Sequence, residues 1–291
     1  MDHIVIKNQQ LQTPLPKTFL YENNTLTIPK NQVYTEPLII QILDEKSDGF
    51  HIVVSANTQI KIIVEIQSNY AEKTSYHLSL QAKENSHVKY LLVSELESNQ
   101  ALIAHDFSAA KDASLDLVGG FVSHVLDAKM HVDLLGEGAE VLLRSVAISS
   151  DENIQNIDVL ITHKAPHTHG DMTNIGIANK KGKIVLNGIE KIEKGMKNAN
   201  AFQTLKGIIT SNQASIDVNP ILLIDEYDIK AGHGATIGKI EEEQMYYLQS
   251  RGLTEEQAER LIINGFLQPV VDEIDDESLK ERFVNLVNSR I

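Results

Sequence analysis

The 291 residues contain no cysteine and no tryptophan. Without thiols the chain cannot be stapled by disulfides, and it cannot by itself build a zinc or iron–sulfur site that rests on thiolates. No apolar run approaches the ~20 residues of a membrane-spanning helix. Met1 to Gln10 lack the basic-then-apolar order of a signal peptide, so the expected location is cytoplasmic. Positive charge is scarce as well: 26 Lys and Arg face 40 Asp and Glu, a net charge of −14. A surface this acidic repels phosphate backbones and anionic lipid heads, so neither nucleic acid nor membrane is an expected partner. A protein with a basic patch is.

What is present reads mostly as short strands rich in Val, Ile and Leu: Phe50–Ser55, Gln59–Gln67, His87–Val93, Glu140–Ile148 and Asn156–Thr162. Gly, Asn, Asp, Ser and Lys separate them. The first half also repeats. His51, His77, His105 and His131 each sit second in an apolar strand, at intervals of 26, 28 and 26 residues. The turns that follow read Ala56-Asn57-Thr58, Lys83-Glu84-Asn85, Lys111-Asp112-Ala113 and Gly136-Glu137-Gly138. A fixed period of this length made only of strands predicts a stacked β-solenoid. A β-sandwich also gives closely spaced strands, but it does not repeat at a fixed long period.

The pattern changes near Lys239. Ile240–Ser250 opens with three glutamates, which suit a helix N-terminus. Thr254 to Gln257 has the form of a capping box, and its helix is expected to stop at Gly265, before Pro269. Asp275 or Asp276 could cap a last helix with Leu279, Phe283, Leu286 and Val287 on one face. The expected organisation is an N-terminal extension over 1–20, a β-helix core over 21–238 and a small helical domain over 239–291, read as a cap with an acidic outer surface.

Four features could carry chemistry. The periodic histidines could form a ladder on one face, although duplication of a repeat explains them as well. His163, His167 and His169 lie close enough in sequence to act as zinc, iron or nickel ligands, but Pro166 implies an irregular loop. Asp225, Glu226 and Asp228 could do acid–base work, as in sugar-cleaving β-helices, yet acidic residues occur throughout the chain. The segment Ala231 to Lys239 is glycine-rich but fails as a phosphate loop: His233 stands where the first glycine belongs, and Ile240 where Ser or Thr belongs. The dinucleotide fingerprint fails on spacing. Its glycines instead predict a tight turn that presents His233 between strands and helices.

Asp228 to Gly238, followed by Gln244 to Gly252, resembles the C-terminal signature of the SufB/SufD family, core subunits of the Suf iron–sulfur cluster assembly machinery. His163-Lys164-Ala165-Pro166, the stretch from Gly188 to Gln203, and Leu222-Leu223 preceded by Asn219-Pro220 are also similar, as is Ala258 to Phe266. The resemblance implies a right-handed parallel β-helix with a C-terminal helical domain. It implies no enzyme but an assembly subunit that pairs with a SufB-like paralogue and binds a SufC-like ABC ATPase through its helical tail. Tyr246, Tyr247, Arg251 and Phe266 are the residues expected at that ATPase contact. On the SufD-like side of such a pair a histidine stands at the shared interface, and the matching position here is His233. It would meet iron or a nascent cluster only in the complex, with no cofactor held tightly by the chain alone.

Two departures matter. Members commonly carry Cys two residues before this histidine, where this chain has Ala231, which argues against a SufB-type scaffold role. The helical region that commonly precedes the β-helix is also expected to be missing here. The alternative reading is a homodimeric β-helix that binds a metal or small ligand through the His163–His169 loop.

Overall fold

The computed structural model describes residues 2–7, 10–43, 46–121, 123–272 and 277–290. The strands are β1 (Asp2–Lys7), β2 (Gln10–Leu11), β3 (Leu20–Glu22), β4 (Thr25–Ile28), β5 (Leu38–Ile42), β6 (Lys46–Val54), β7 (Gln59–Ser68), β8 (Lys73–Ala82), β9 (His87–Leu96) and β10 (Gln100–Ala109). They continue as β11 (Ser114–Phe121), β12 (Leu126–Leu134), β13 (Glu140–Ser149), β14 (Ile154–His163), β15 (His169–Ala178), β16 (Lys183–Ile192), β17 (Asn200–Ile209), β18 (Ser215–Ile224) and β19 (Lys230–Lys239). Three helices follow: α1 (Glu242–Ser250), α2 (Glu255–Val271) and α3 (Glu277–Arg290).

From β4 onward, successive strands alternate between two sheets. Odd-numbered strands build one sheet and even-numbered strands the other, each strand pairing in parallel with the strand two places on. This is a β-solenoid of about 7 turns. The alternation in β8 and β16 puts every second side chain inside. Stacked aliphatics such as Ile62, Leu92, Leu117, Leu143, Leu186 and Leu205 form the interior. The chain enters the solenoid earlier than expected. β1 pairs with β5, and β2 folds back on β1, so residues from Asp2 onward already contribute to the odd sheet rather than forming a separate extension.

One corner is built the same way in coil after coil. Asn31, Asn57, Asn85, Asp112, Gly138, His167 and Asn198 all adopt a left-handed backbone, with φ between 53° and 72°. Each follows an even strand, and stacked turns hydrogen-bond through the backbone, as from Asn57 N–H to Glu84 O and from His167 N–H to Lys197 O. Asparagine, aspartate and histidine reach this conformation more easily than other side chains, which explains the turn residues of the repeat.

The histidine repeat does not produce a ladder. His77 lies opposite Ala104, and His105 lies opposite Leu78 and Met130. A one-residue offset moves a side chain to the other face. His105 is therefore buried, stacked on Phe107 at 4.0 Å between ring centres, while His51, His77 and His131 face solvent.

The helices do not cap the open end. Ile63, Leu91, Val93, Val118, Val146, Ile148, Ile175, Ile177 and Ile208 form an apolar stripe on the outer face of the odd sheet, and Ile263, Leu267, Val271, Phe283 and Val287 lie against it. This second buried face gives β7, β9 and β13 their long buried runs. The Thr254 capping box forms: Thr254 N–H donates to Gln257 Oε1 at 2.9 Å, and Gln257 N–H donates to Thr254 Oγ1 at 3.2 Å. The helix does not stop at Gly265. It continues through Pro269 to Val271, because Ile263, Leu267 and Val271 recur on the face that meets the sheet, and packing outweighs local propensity. The cap expected at Asp275 or Asp276 lies outside the described residues.

Candidate functional site

The segment around His233 is a strand, not a tight turn. β19 pairs with β17 over its whole length, and Gly232, Gly234 and Gly238 have ordinary negative φ. Alternation explains the composition. Gly232 lies opposite Phe202 on the outer face, while Ala231, His233, Ala235 and Ile237 lie opposite the inward-facing Ala201, Gln203, Leu205 and Gly207. His233 therefore faces the lumen of the solenoid. It is nonetheless exposed, because among the described residues no strand follows β19 in its sheet. β18 ends the other sheet in the same way, leaving Ile221, Leu223 and Ile224 exposed. Tyr227, between the two strands, is fully exposed. His233 stands at the open mouth.

The other three histidines do not converge. His163 is buried inside the last coils, where its Nδ1–H donates to Thr168 Oγ1 at 2.8 Å, and that hydroxyl donates to Ala165 O at 3.1 Å. Its Nε2 lies 3.2 Å from Glu190 Oε2, a carboxyl that is also fully buried. Gly170 makes room for both groups. Distance alone would admit an ion pair here, but burial decides against one. It pushes the Glu190 carboxyl up to about 9, helped by the Asp171 carboxylate, and lowers His163 to about 4, helped by His169. Burial thus favours a neutral carboxylic acid donating to a neutral imidazole over an ion pair. His167 occupies the left-handed corner, and His169 begins β15 with its side chain on the outer face. Among the described residues no group of three or more His, Cys, Asp or Glu is arranged to hold a metal ion.

The acidic cluster serves the turn before β19. Glu226 Oε1 accepts from Tyr227 N–H at 2.8 Å and Asp228 N–H at 3.3 Å, and Oε2 accepts from Gly195 N–H at 2.9 Å. These bonds lower the pKa of its carboxyl. A carboxylate committed to three backbone donors is a turn-former, not an acid–base catalyst.

Tyr246, Tyr247, Leu261 and Phe266 are exposed, and Arg251 stacks over the Tyr247 ring at 5.3 Å. Gln244, Tyr247, Leu248, Ile262, Gly265 and Phe266 line one groove between α1 and α2. Glu255, Glu256 and Glu259 lie along the same helix as Ile262 and Phe266.

Sequence reading overlooked Glu190 and Gln203. Both break the apolar phase of the inward positions, Ile184, Leu186 and Ile192 in β16 and Ala201 and Leu205 in β17, and that break was the available signal.

Residues 45–266 match the family model for the SUF system FeS cluster assembly SufBD core domain. The chain is 28% identical to the iron–sulfur cluster assembly protein SufD of Bacillus subtilis (strain 168), over 99% of this chain and 63% of that protein. It is 26% identical to an iron–sulfur cluster assembly SufBD family protein of Staphylococcus epidermidis, over 86% of this chain and 56% of that one. A SufBD family protein of Staphylococcus aureus is also 26% identical, over 94% and 56%. The chain thus spans less than two thirds of the length of these curated relatives. With a solenoid of this topology and a match across most of its length, the chain belongs to the SufB/SufD family of SUF iron–sulfur cluster assembly proteins, and within it is similar to SufD.

Proposed function

We propose that this chain is the SufD-like, non-catalytic half of a cytoplasmic cluster-assembly complex, paired with a SufB-like paralogue through the open mouth of the solenoid. The observation that carries this reading is the pair of terminal strands whose outer edges have no strand neighbour among the described residues. β18 and β19 are ten residues each, and they present free backbone donors and acceptors, exposed aliphatics and His233 at one end. Such edges recruit another strand. His233 supplies one imidazole to iron or a nascent cluster, and the remaining ligands come from the partner, since this chain has no thiolate. Iron and the cluster are cargo here.

The test is a His233→Ala variant in the reconstituted complex. Cluster build-up should fall at least about tenfold with the complex still intact. Unchanged build-up in an intact complex would remove the ligand role. Sizing the isolated chain shows whether a second copy takes the same edge when no paralogue is present.

The groove between α1 and α2 is the docking surface for the ABC ATPase in this reading. Its exposed aromatics supply the anchors. The acidic residues of α2 select a basic face on the partner. Tyr247→Ala combined with Phe266→Ala should weaken capture of the purified ATPase by about tenfold or more, corresponding to ~1.4 kcal/mol or more. Equal capture by the variant and the parent chain would place the ATPase elsewhere.

A further inference from the structure

His233 has one strand neighbour, and its own position depends on how that neighbour is held. β19 pairs only with β17, and directly beneath His233 in the register is Gln203. Gln203 points into the lumen and is 2% exposed. Its Nε2 donates to the backbone carbonyl of Ile221 in β18 at 2.9 Å. One side chain therefore spans from the odd sheet to the even sheet, and the two strands it joins are β18, which ends one sheet, and β17, which carries the edge strand of the other.

The span depends on the strand opposite. A Cβ on Gly188 would fall 2.5 Å from Gln203 Oε1, 2.9 Å from Leu205 Cδ1 and 3.0 Å from Met172 Sδ. Only glycine at 188 leaves the lumen open for the glutamine to cross. The direction of the amide is also fixed: turning it over would set Oε1 against the Ile221 oxygen, two acceptors with no proton between them. Oε1 consequently has no hydrogen-bond partner among the described residues. An apolar side chain at 203 would avoid that unsatisfied oxygen, but it could not hold Ile221.

We propose that Gln203 is a positioning residue for His233. Its amide is a strut across the lumen that sets the separation of β18 and β19 and forms the floor on which the His233 imidazole stands. The proposal rests on the reading of His233 as a ligand. It also implies that His233 is approached end-on, along the solenoid axis, since Gln203, Met172 and Leu205 close the lumen below it.

The experiment compares Gln203→Leu, Gly188→Ala and His233→Ala in the full chain, assembled with the paralogue and the ATPase. Two quantities are read besides thermal stability: the spectroscopic signature and rate of the cluster that forms, and hydrogen exchange of backbone amides in residues 218–224 and 230–236. Gln203→Leu should raise exchange in both segments, alter the cluster spectrum and slow build-up by about tenfold, while the complex still assembles. Gly188→Ala should reproduce this from the opposite strand, and it stands in if Gln203→Leu does not fold. Gln203→Met, which keeps the length but has no donor, should behave like Gln203→Leu. If His233→Ala abolishes build-up while Gln203→Leu matches the parent chain, the strut is wrong and the ligand reading stands. If His233→Ala is silent, both fall. Unchanged exchange in Gln203→Leu also overturns the strut.

Discussion

Phe283→Ala should lower the unfolding free energy of the isolated chain by about 3–5 kcal/mol, read from the urea midpoint at constant slope. The ring is 1% exposed and belongs to the apolar cluster that joins Val118, Val146 and Ile175 of the sheet to Ile263 and Leu267 of α2. It also seats against Gly120, where any Cβ would collide with it. A large cavity left by the ring cannot be filled by its neighbours, because the sheet side is fixed by the ladder on either side of β11. The loss has a second consequence. With α3 loosened, the apolar stripe on the odd sheet becomes accessible, so the variant should form larger species than the parent on sizing columns. Gly120→Ala probes the same contact from the sheet and should cost about 1–3 kcal/mol by overpacking. A Phe283→Ala loss below about 1 kcal/mol would show that α3 contributes little to stability.

Glu190→Gln should become more stable relative to the parent chain as pH rises, by at least about 2 kcal/mol between pH 5.5 and 8.5. The sign follows from the proton. The buried carboxyl keeps its proton up to about 9 in the folded chain, whereas the ordinary value is 4.5. Between those values the unfolded chain releases a proton that the folded chain retains, so the parent loses about 1.4 kcal/mol of stability per pH unit. Glutamine has nothing to release, and its amide can donate to His163 Nε2 in place of the acid. His163 works in the opposite direction. Its pKa is lowered from 6.5 to about 4, so its contribution is complete above about 6.5 and is lost as pH falls toward 4. The buried imidazole of His105 adds to the same acid limb, lowered to about 3 by burial. A parent-to-variant difference that does not change with pH, or that changes with the opposite sign, would mean that His163 and Glu190 form an ion pair.

Much of the architecture was legible because solenoids repeat local physics. Alternating aliphatics gave the strands, and the recurrent Asn and Asp turns mark the left-handed corner that each coil requires. The capping box at Thr254 is a local feature and formed as read. What failed was set by distance. The face on which His105 falls depends on the register between β8, β10 and β12, which the coil lengths determine together. The glycines around His233 suggested a turn because glycine tolerates one, yet in β19 they serve an outer face crowded only by Phe202. Gly265 and Pro269 signalled a helix end that packing against the sheet overrode. At the candidate site, His233 is singled out by its glycine-rich flanks and by the family resemblance. Gln203 and Glu190 become meaningful only once the lumen is known, since a polar residue in an apolar phase has no interpretation before its neighbours are placed.

The two ends of the solenoid differ, and the difference limits growth. At one end the short antiparallel strands β2 and β3 flank the sheets, pairing with Ile6 and Lys7 of β1 and with Thr25, Leu26 and Thr27 of β4. At the other, β18 and β19 are left open. A rod with two open ends could stack head to tail into a filament of any length. A rod whose long open strands lie at one end favours a neighbour there, mouth to mouth. In the proposed pairing, the polarity of the coil favours mouth-to-mouth association of two solenoids over open-ended stacking.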